Sequence, residues 1–460
     1  MSIDDISLVQ IKKNNISYLF LQYFRPIWYF NLMINSDCKS PWPNYELLSP
    51  EEKQLVVYDQ GYSHPELSKW DASYQALLNG VITTSEYKVT KQIINIYPND
   101  LYRFYKKYYK NIWLVIIFFQ RILSFYNPLY EFIGLYKTVF IQKYSKSKKY
   151  CGHDKYNFFN SSILKLNPMV EIIIPTYKRY HTLVNVLKDL QNQKYKNFKV
   201  IIIDQNRSFS KSFYDRFNLK YKIIRQGKPG LWKARNKAIL NSSSSYLLFL
   251  DDDSRVRSDW ILEHIKCIDY FKSDISSGVS ISLKGDKVPF NYYYFRRADQ
   301  IDTGNVLIKR KVFEKCGLFD EQFEGMRMGD GEFGARAYLN AFSNISNPNA
   351  RREHIKAAYG GLRSFGKWDG FYSLKLFSPR PIPSVLYYWR KYWGNKDAVV
   401  SCLLNLPMSI MPYRFKKYYF AKIVSILLFF LLFPVILIQL ISSWLISTKM
   451  LNKGAIIKQL

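Results

Sequence analysis

Cysteine and acidic residues are scarce in this 460-residue chain, and each shortage closes off a class of protein. The five cysteines, Cys38, Cys151, Cys267, Cys316 and Cys402, are odd in number, widely scattered and without paired spacing. They imply neither a disulfide framework nor a zinc site, and a reducing compartment is expected. No GxGxxG follows the strand-like runs, which argues against a dinucleotide site. The first residues carry Asp4 and Asp5 with no basic head and apolar run behind it, so no secretory signal is expected. Acids number 36 against 67 Lys and Arg, a formal charge of +31. That surplus implies an anionic partner: nucleic acid, an acidic membrane surface or a phosphorylated substrate. Aromatic residues, by contrast, make up 17% of the chain and alternate with Lys and Arg. The mixture suits a membrane interface as well as base stacking.

The chain is long enough for two or three domains. Its most informative stretch is residues 246–253, Tyr-Leu-Leu-Phe-Leu-Asp-Asp-Asp. A short apolar run ending in three carboxylates reads as a buried parallel strand that delivers charge to the edge of a sheet, where open α/β folds keep their ligands. Adjacent desolvated acids repel, and a divalent cation resolves the conflict. Asp251 and Asp253 point the same way along an extended chain and can share one metal or one metal-bound diphosphate, while Asp252 turns elsewhere. The same residues also suit a solvated acidic turn, with Ser254 as a cap.

Residues 1–166 are the least readable. Residues 17–34 are apolar and aromatic but interrupted by Arg25-Pro26. Over residues 101–125, Leu101, Phe104, Tyr108, Ile112, Val115 and Phe119 recur at helical spacing with Lys and Arg between them. This basic amphipathic helix suits an anionic bilayer or an ordinary packed position, and its apolar centre, 112–119, is too short to cross a membrane. Residues 145–149 read as a linker. From Val170 the pattern becomes strand (170–174), helix (182–193), strand (198–203, ending in Asp204), strand (222–224), a Gly-Lys-Pro-Gly turn, helix (231–240) and the central strand. That order is a nucleotide-binding α/β half, and it gathers Pro175, Thr176, Tyr177, Asp204 and Asp251 to Asp253 at one sheet edge.

Ile-Ile-Ile-Pro-Thr-Tyr at 172–177, Ile-Ile-Ile-Asp at 201–204, Ala-Arg-Asn at 234–236, Phe-Leu-Asp-Asp-Asp at 249–253, Gly-Leu-Phe-Asp-Glu at 317–321 and Gly-Asp-Gly-Glu-Phe at 329–333 occur in this order. In that arrangement residues 168–370 resemble family 2 glycosyltransferases of the GT-A fold. The resemblance implies an inverting transfer of sugar from a nucleoside diphosphate, uridine ahead of guanosine or thymidine. Pro175, Thr176, Tyr177 and Asp204 would then belong to the nucleotide pocket. Arg235 would reach nucleotide or phosphate. Asp251 and Asp253 match the DxD pair, with Asp253 on Mg2+ or Mn2+, Asp251 on ribose or metal, and Asp252 in the donor site. Asp330 matches the general base that deprotonates the acceptor hydroxyl, and Glu332, Phe333 and Arg336 match the residues around it. Gly329 is a departure, since an acid is common there. His354 would complete the metal shell or touch the diphosphate, and Arg363 and Lys367 would close over it.

The tail contains an uncharged run, 423–446, long enough to span a bilayer, with Pro434 near its middle allowing a hairpin instead. Basic residues flank both sides, so charge does not orient it; a cytosolic donor places the catalytic domain on the cytoplasmic face of the cell membrane. The expected layout is an N-terminal helical region (1–166), a GT-A α/β domain (167–395) and a basic membrane segment (396–460). The expected acceptor is a glycan or lipid-linked oligosaccharide of bacterial surface-polysaccharide assembly. Three rivals are a nucleic-acid-binding protein, a polymerising synthase and a non-catalytic scaffold. The apolar tail and strand-tip acids argue against the first, and the single convincing span against the second.

Overall fold

A run of β-branched residues buried on both faces is what a central parallel strand requires, and Val170–Thr176 (β1) is buried at all seven positions. In the computed structural model, which describes residues 20–23, 39–83, 86–88, 95–144, 150–282, 288–298, 301–357, 361, 376–412, 415 and 418–460, this strand lies inside a mixed sheet. The chain divides into two compact units, Met1–Phe158 with Pro289–Arg297, and Phe159–Val288 with Ala298–Leu460.

In the second unit, Phe198–Asp204 (β2), Tyr221–Arg225 (β3) and Tyr246–Leu250 (β4) run parallel to β1, linked by the helices Tyr180–Gln191 (α1) and Leu231–Leu240 (α2). Further on come Ser254–Val256 (β5), Trp260–Tyr270 (α3), Ile275–Ser282 (β6), Asn305–Lys309 (β7), Arg310–Cys316 (α4), Gly329–Leu339 (α5) and Asn344–His354 (β8). The strand order is β3-β2-β1-β4-β7-β6-β8-β5, with β7 antiparallel to both neighbours. This is the α/β fold class expected from the sequence, and the expected strands and helices differ from it by one or two residues at their ends.

Two pairings position the site. Thr176 lies opposite Asp204, so β1 and β2 finish at the same edge, next to the end of β4. β8 runs antiparallel to β5 with His354 opposite Ser254, which places the imidazole one residue from Asp253. Alternate residues of β1 and β2 pack with Leu183, Val186, Leu187 and Leu190 of α1 on one side of the sheet. Elsewhere in the unit Phe249 meets Phe313 and Phe319, with ring centroids 5.9 and 5.7 Å away. Phe333 stacks on Phe313 at 4.8 Å and fixes α5, the helix that carries Asp330.

The same unit contains Pro383–Asn405 (α6), interrupted at Gly394, then Tyr419–Leu431 (α7) and Phe433–Lys453 (α8). The run 423–446 is therefore not one helix. It breaks at Leu432, and Pro434 sits in the first turn of α8, where its missing N–H costs nothing. With 21 residues, α8 is by itself long and apolar enough to cross a membrane, by length and composition.

In the first unit, Pro50–Lys53, Pro65–Leu78, Pro98–Tyr108, Ile112–Ile122 and Pro128–Lys137 are helical, and Lys39–Pro43 pairs antiparallel with Glu86–Lys88. Four of these helices start on proline, the residue preset for a first turn. The single helix expected over 101–125 is two: Tyr109 is extended (φ −121°, ψ 167°). Its hydroxyl lies 2.8 Å from that of Tyr74 and its ring packs on Phe104 and Tyr105, so tertiary aromatic contacts override the helical period. Residues 17–19, 24–34, 145–149, Arg363 and Lys367 lie outside the described residues.

Candidate active site

The three aspartates lie in the turn between β4 and β5, and their side chains diverge. Asp252 turns into the protein, accepting hydrogen bonds from Thr176 Oγ1 (2.9 Å) and Arg179 (3.1 Å). Burial pushes its carboxyl up to about 7, against the pull of Arg179. Asp251 accepts from Arg235 at 2.9 Å on one oxygen and from Arg352 at 3.0 Å on the other. Burial raises its carboxyl, but Arg352 and then Arg235 outweigh it and hold the group well below the usual carboxylate range. Asp253 is 1% exposed and meets Arg179 (3.1 Å), the His354 Nε2 (3.3 Å) and the Ala357 N–H (3.2 Å). It too is held low, with the His354 hydrogen bond opposing the effect of burial.

One oxygen each of Asp251 and Asp253 and one nitrogen of His354 lie within 4.8 Å of one another. Two carboxylates and an imidazole are a donor set for a hard-to-borderline divalent ion, and the imidazole favours Mn2+ over Mg2+. The two Asp251 oxygens each keep a further lone pair after one hydrogen bond, whereas Asp253 Oδ2 takes two, from Arg179 and the Ala357 N–H, which leaves Oδ1 as the Asp253 donor atom. Gly304 makes the arrangement possible: a Cβ there would stand 2.0 Å from an Arg352 nitrogen and 2.3 Å from an Asp251 oxygen.

Arg352 and Arg179 carry much of this site and were not singled out from sequence. Arg352 also reaches Ser280 Oγ (2.7 Å), the Gly304 carbonyl (2.9 Å) and Asp302 (3.0 Å). The available signal was spacing: Arg352 and His354 are two apart on β8, as are Asp251 and Asp253 in the turn after β4. Among 67 basic residues that pattern did not stand out.

The remaining expected site residues divide. Tyr177 is half-buried at the edge, and its carbonyl accepts from the Gly361 N–H at 3.1 Å. Pro175 is buried within β1. Thr176 is fully buried and spends its hydroxyl on Asp252. Asp204 is also fully buried, and its carboxylate takes hydrogen bonds from Tyr180, Tyr214 (2.7 Å) and the backbone and side chain of Asn206 (2.9 Å each). Glu332 lies inside the fold, paired with Arg336 (2.9 Å) and Lys391 (3.0 Å) and bonded by Tyr392 (2.6 Å). Asp204 and Glu332 are thus supplied with partners by the protein itself.

Asp330 occupies the first turn of α5, half-buried, accepting from the Gly331 N–H at 2.9 Å. The glycine before it has a steric cause: a Cβ on Gly329 would come within 2.4 Å of the Trp232 ring. An acid there is excluded by that ring. The N-terminus of α2, after the Gly-Lys-Pro-Gly turn, is closed by Glu324, whose carboxylate accepts from the N–H groups of Leu231, Trp232 (3.1 Å) and Lys233 (3.1 Å). The segment before α5 is tied to the end of the chain. Leu318 N–H donates to Lys458 O (2.8 Å) and Glu321 N–H to Ile456 O (3.1 Å), while Asp320 accepts from Ile456 N–H (3.0 Å) and the Tyr387 hydroxyl (2.9 Å).

Residues 171–328 match the family described as glycosyl transferase family 2. That segment is a family 2 glycosyltransferase domain. The match covers β1 to the loop before α5 and so contains Asp251 to Asp253, whereas Asp330 and His354 fall beyond it. Among curated proteins the chain is similar to glycosyltransferase GlyA of Streptococcus pneumoniae, 25% identical over 167 residues, which is 35% of this chain and 22% of that protein. It is 23% identical over 218 residues, 42% of this chain and 38% of the relative, to the poly(ribitol-phosphate) beta-N-acetylglucosaminyltransferase TarS of Staphylococcus aureus. Over 97 residues, 20% of this chain and 31% of the relative, it is 31% identical to the GalNAc(5)-diNAcBac-PP-undecaprenol beta-1,3-glucosyltransferase of Campylobacter jejuni. The chain spans less than half the length of these relatives.

Proposed function

We propose that this protein is a membrane-associated inverting glycosyltransferase. It transfers a sugar from a uridine-diphosphate donor to a glycan or lipid-linked acceptor at the cytoplasmic face of the cell membrane. The observation that carries the reading is the convergence of Asp251, Asp253 and His354 within 4.8 Å at the carboxyl edge of a family 2 glycosyltransferase sheet. Those three would hold Mn2+ or Mg2+, which when bound offsets charge on the departing diphosphate.

The chain's own residues have separable tasks. Arg235 and Arg352 orient the Asp251 carboxylate, one on each oxygen, and Arg179 bridges Asp252 and Asp253 and holds the latter directly. Tyr177 offers a half-buried ring at the strand edge for the base. Asp330 accepts the proton of the attacking acceptor hydroxyl as that oxygen displaces the diphosphate, which inverts the anomeric centre. Its position in the first turn of α5 sets the carboxylate at a helix end. Thr176, Pro175, Asp204 and Glu332 shape the site from behind, and Asp252 anchors β4 to β1.

The acceptor class rests on two relatives whose names specify a poly(ribitol-phosphate) and a diphosphate-undecaprenol glycan, both anionic, and on the +31 charge of this chain. The helix Phe433–Lys453 supports attachment to the membrane that carries such a lipid. The test is release of uridine diphosphate from a panel of uridine-linked sugars by detergent-solubilised protein given lipid-linked glycan acceptors. The reading expects acceptor-dependent release that chelation of divalent metal abolishes. Absence of release with every donor, or release indifferent to chelation, would contradict it.

A further inference from the structure

We propose that the first unit carries its own membrane-binding surface, a helical hairpin that lies in the interface of an anionic bilayer. The hairpin is formed by Ile112–Ile122 and Pro128–Lys137, with Phe125 at φ 62° and 98% exposed in the connection. The two helices face opposite demands on their two sides. Inward, Arg121 and Glu131 form an ion pair at 2.7 Å, Tyr102 donates to Glu131 at 2.8 Å, and Leu114 and Ile117 join the core. Gly134 lets the second helix approach Pro98 so closely that a Cβ would stand 2.6 Å from it. Outward, Val115, Phe119, Leu129, Phe132, Tyr136 and Phe140 are all exposed, between 45% and 86%. An apolar surface this large on one hairpin marks a contact surface, because water alone disfavours it.

Charge says what covers it. Residues 101–150 contain ten Lys and Arg and one acid, Glu131. Glu131 is 1% exposed and already paired, so this stretch shows water no free carboxylate, while Lys110, Lys137 and Lys143 border the apolar face. Apolar centre, tyrosine at the margin and an all-basic rim are the composition of a segment that sits among acyl chains and anionic headgroups. A protein partner of this chemistry would have to be apolar and acidic at once over the whole face. Neither helix is long enough to span, so the hairpin lies in the plane of the membrane. The inference is independent of sugar transfer, and it gives residues 1–166 a task that the tail helix does not perform.

The test uses the full chain with Cys38→Ser and Cys151→Ser and an environment-sensitive fluorophore on Leu129→Cys or Phe132→Cys. Glu51→Cys, exposed in the same unit, is the control. Vesicles of phosphatidylcholine with phosphatidylglycerol, carrying a shallow nitroxide lipid, are the probe. Both hairpin labels are expected to shift to the blue and lose about half their emission or more to the nitroxide, and the control label is expected to do neither. Lys137→Glu with Lys143→Glu should weaken the quenching. Labels that stay water-exposed while the protein floats with the vesicles would overturn the proposal. So would labels already blue-shifted before lipid is added, since the face would then be covered by protein.

Discussion

The strands β2 and β4 lie on either side of β1 and both lead into aspartate, at Asp204 and Asp251, yet the two ends are built differently. At the tip of β2 the Asp204 carboxylate is enclosed by neutral donors, Tyr180, Asn206 and Tyr214. At the tip of β4, Asp251 to Asp253 are met by the guanidinium groups of Arg179, Arg235 and Arg352 and by the His354 imidazole. Neutral donors satisfy a buried carboxylate and end its reach; it then serves the fold. Charges gathered from several elements hold Asp251 and Asp253 low side by side at an edge, an arrangement that folding alone does not need. Glu332 resembles the first case in charged form: its partner Arg336 is one turn away on the same helix.

The contrast can be broken in several places. The largest effect is expected at Asp330, where Asn should lower kcat by about 10² to 10⁴ while uridine diphosphate binding and Tm stay at native values. Loss of binding instead would move Asp330 into the donor site. Glu332→Gln should act on the fold, because it leaves Arg336 buried without its charge partner; about 3–5 kcal/mol of stability should be lost in urea titration, with donor affinity of the folded protein retained. Against the effect of burial, Arg336 and Lys391 hold the Glu332 carboxyl at about 2, below its ordinary value. Its stabilisation is therefore complete above the ordinary glutamate range and drains away as pH falls toward 2, and the native protein should lose stability over that window more steeply than Glu332→Gln. Arg352→Met should weaken donor binding by about 10–100-fold, since Asp251 loses one of its two orienting cations. The smallest change is at Asp204: Asn should cost about 1–3 kcal/mol of stability and leave the affinity for uridine diphosphate alone. A rise in Kd there would erase the distinction between the two strand tips.

How much of this was legible in the sequence follows from the range of each interaction. The strands and helices from Val170 to Leu250 were, because burial pattern and turn residues are local. The acids after β4 were legible as a site because three carboxylates in a row after an apolar run state their own conflict. Asp204 looked equivalent, since nothing local reveals that Tyr180 and Tyr214 fold back onto it. Arg179 and Arg352 were hidden among many basic residues and become distinct only when β8 pairs with β5 and the loop after β1 turns toward β4. Gly329 looked like a weakness of the general-base motif until Trp232 supplied the reason for it. The helix break at Tyr109 was missed because apolar periodicity continues through it and aromatic packing, not pattern, ends the helix, whereas the break at Leu432 falls two residues before Pro434, the residue that had left a hairpin open.

The most direct measurement is calorimetric titration of uridine diphosphate into detergent-solubilised protein, with and without Mn2+, for the native chain and for Asp253→Ala. The account predicts binding by the native protein that requires Mn2+ and is absent in the variant. Equal binding in all four titrations, or none in any, would contradict it and return the acidic tip of β4 to a structural role.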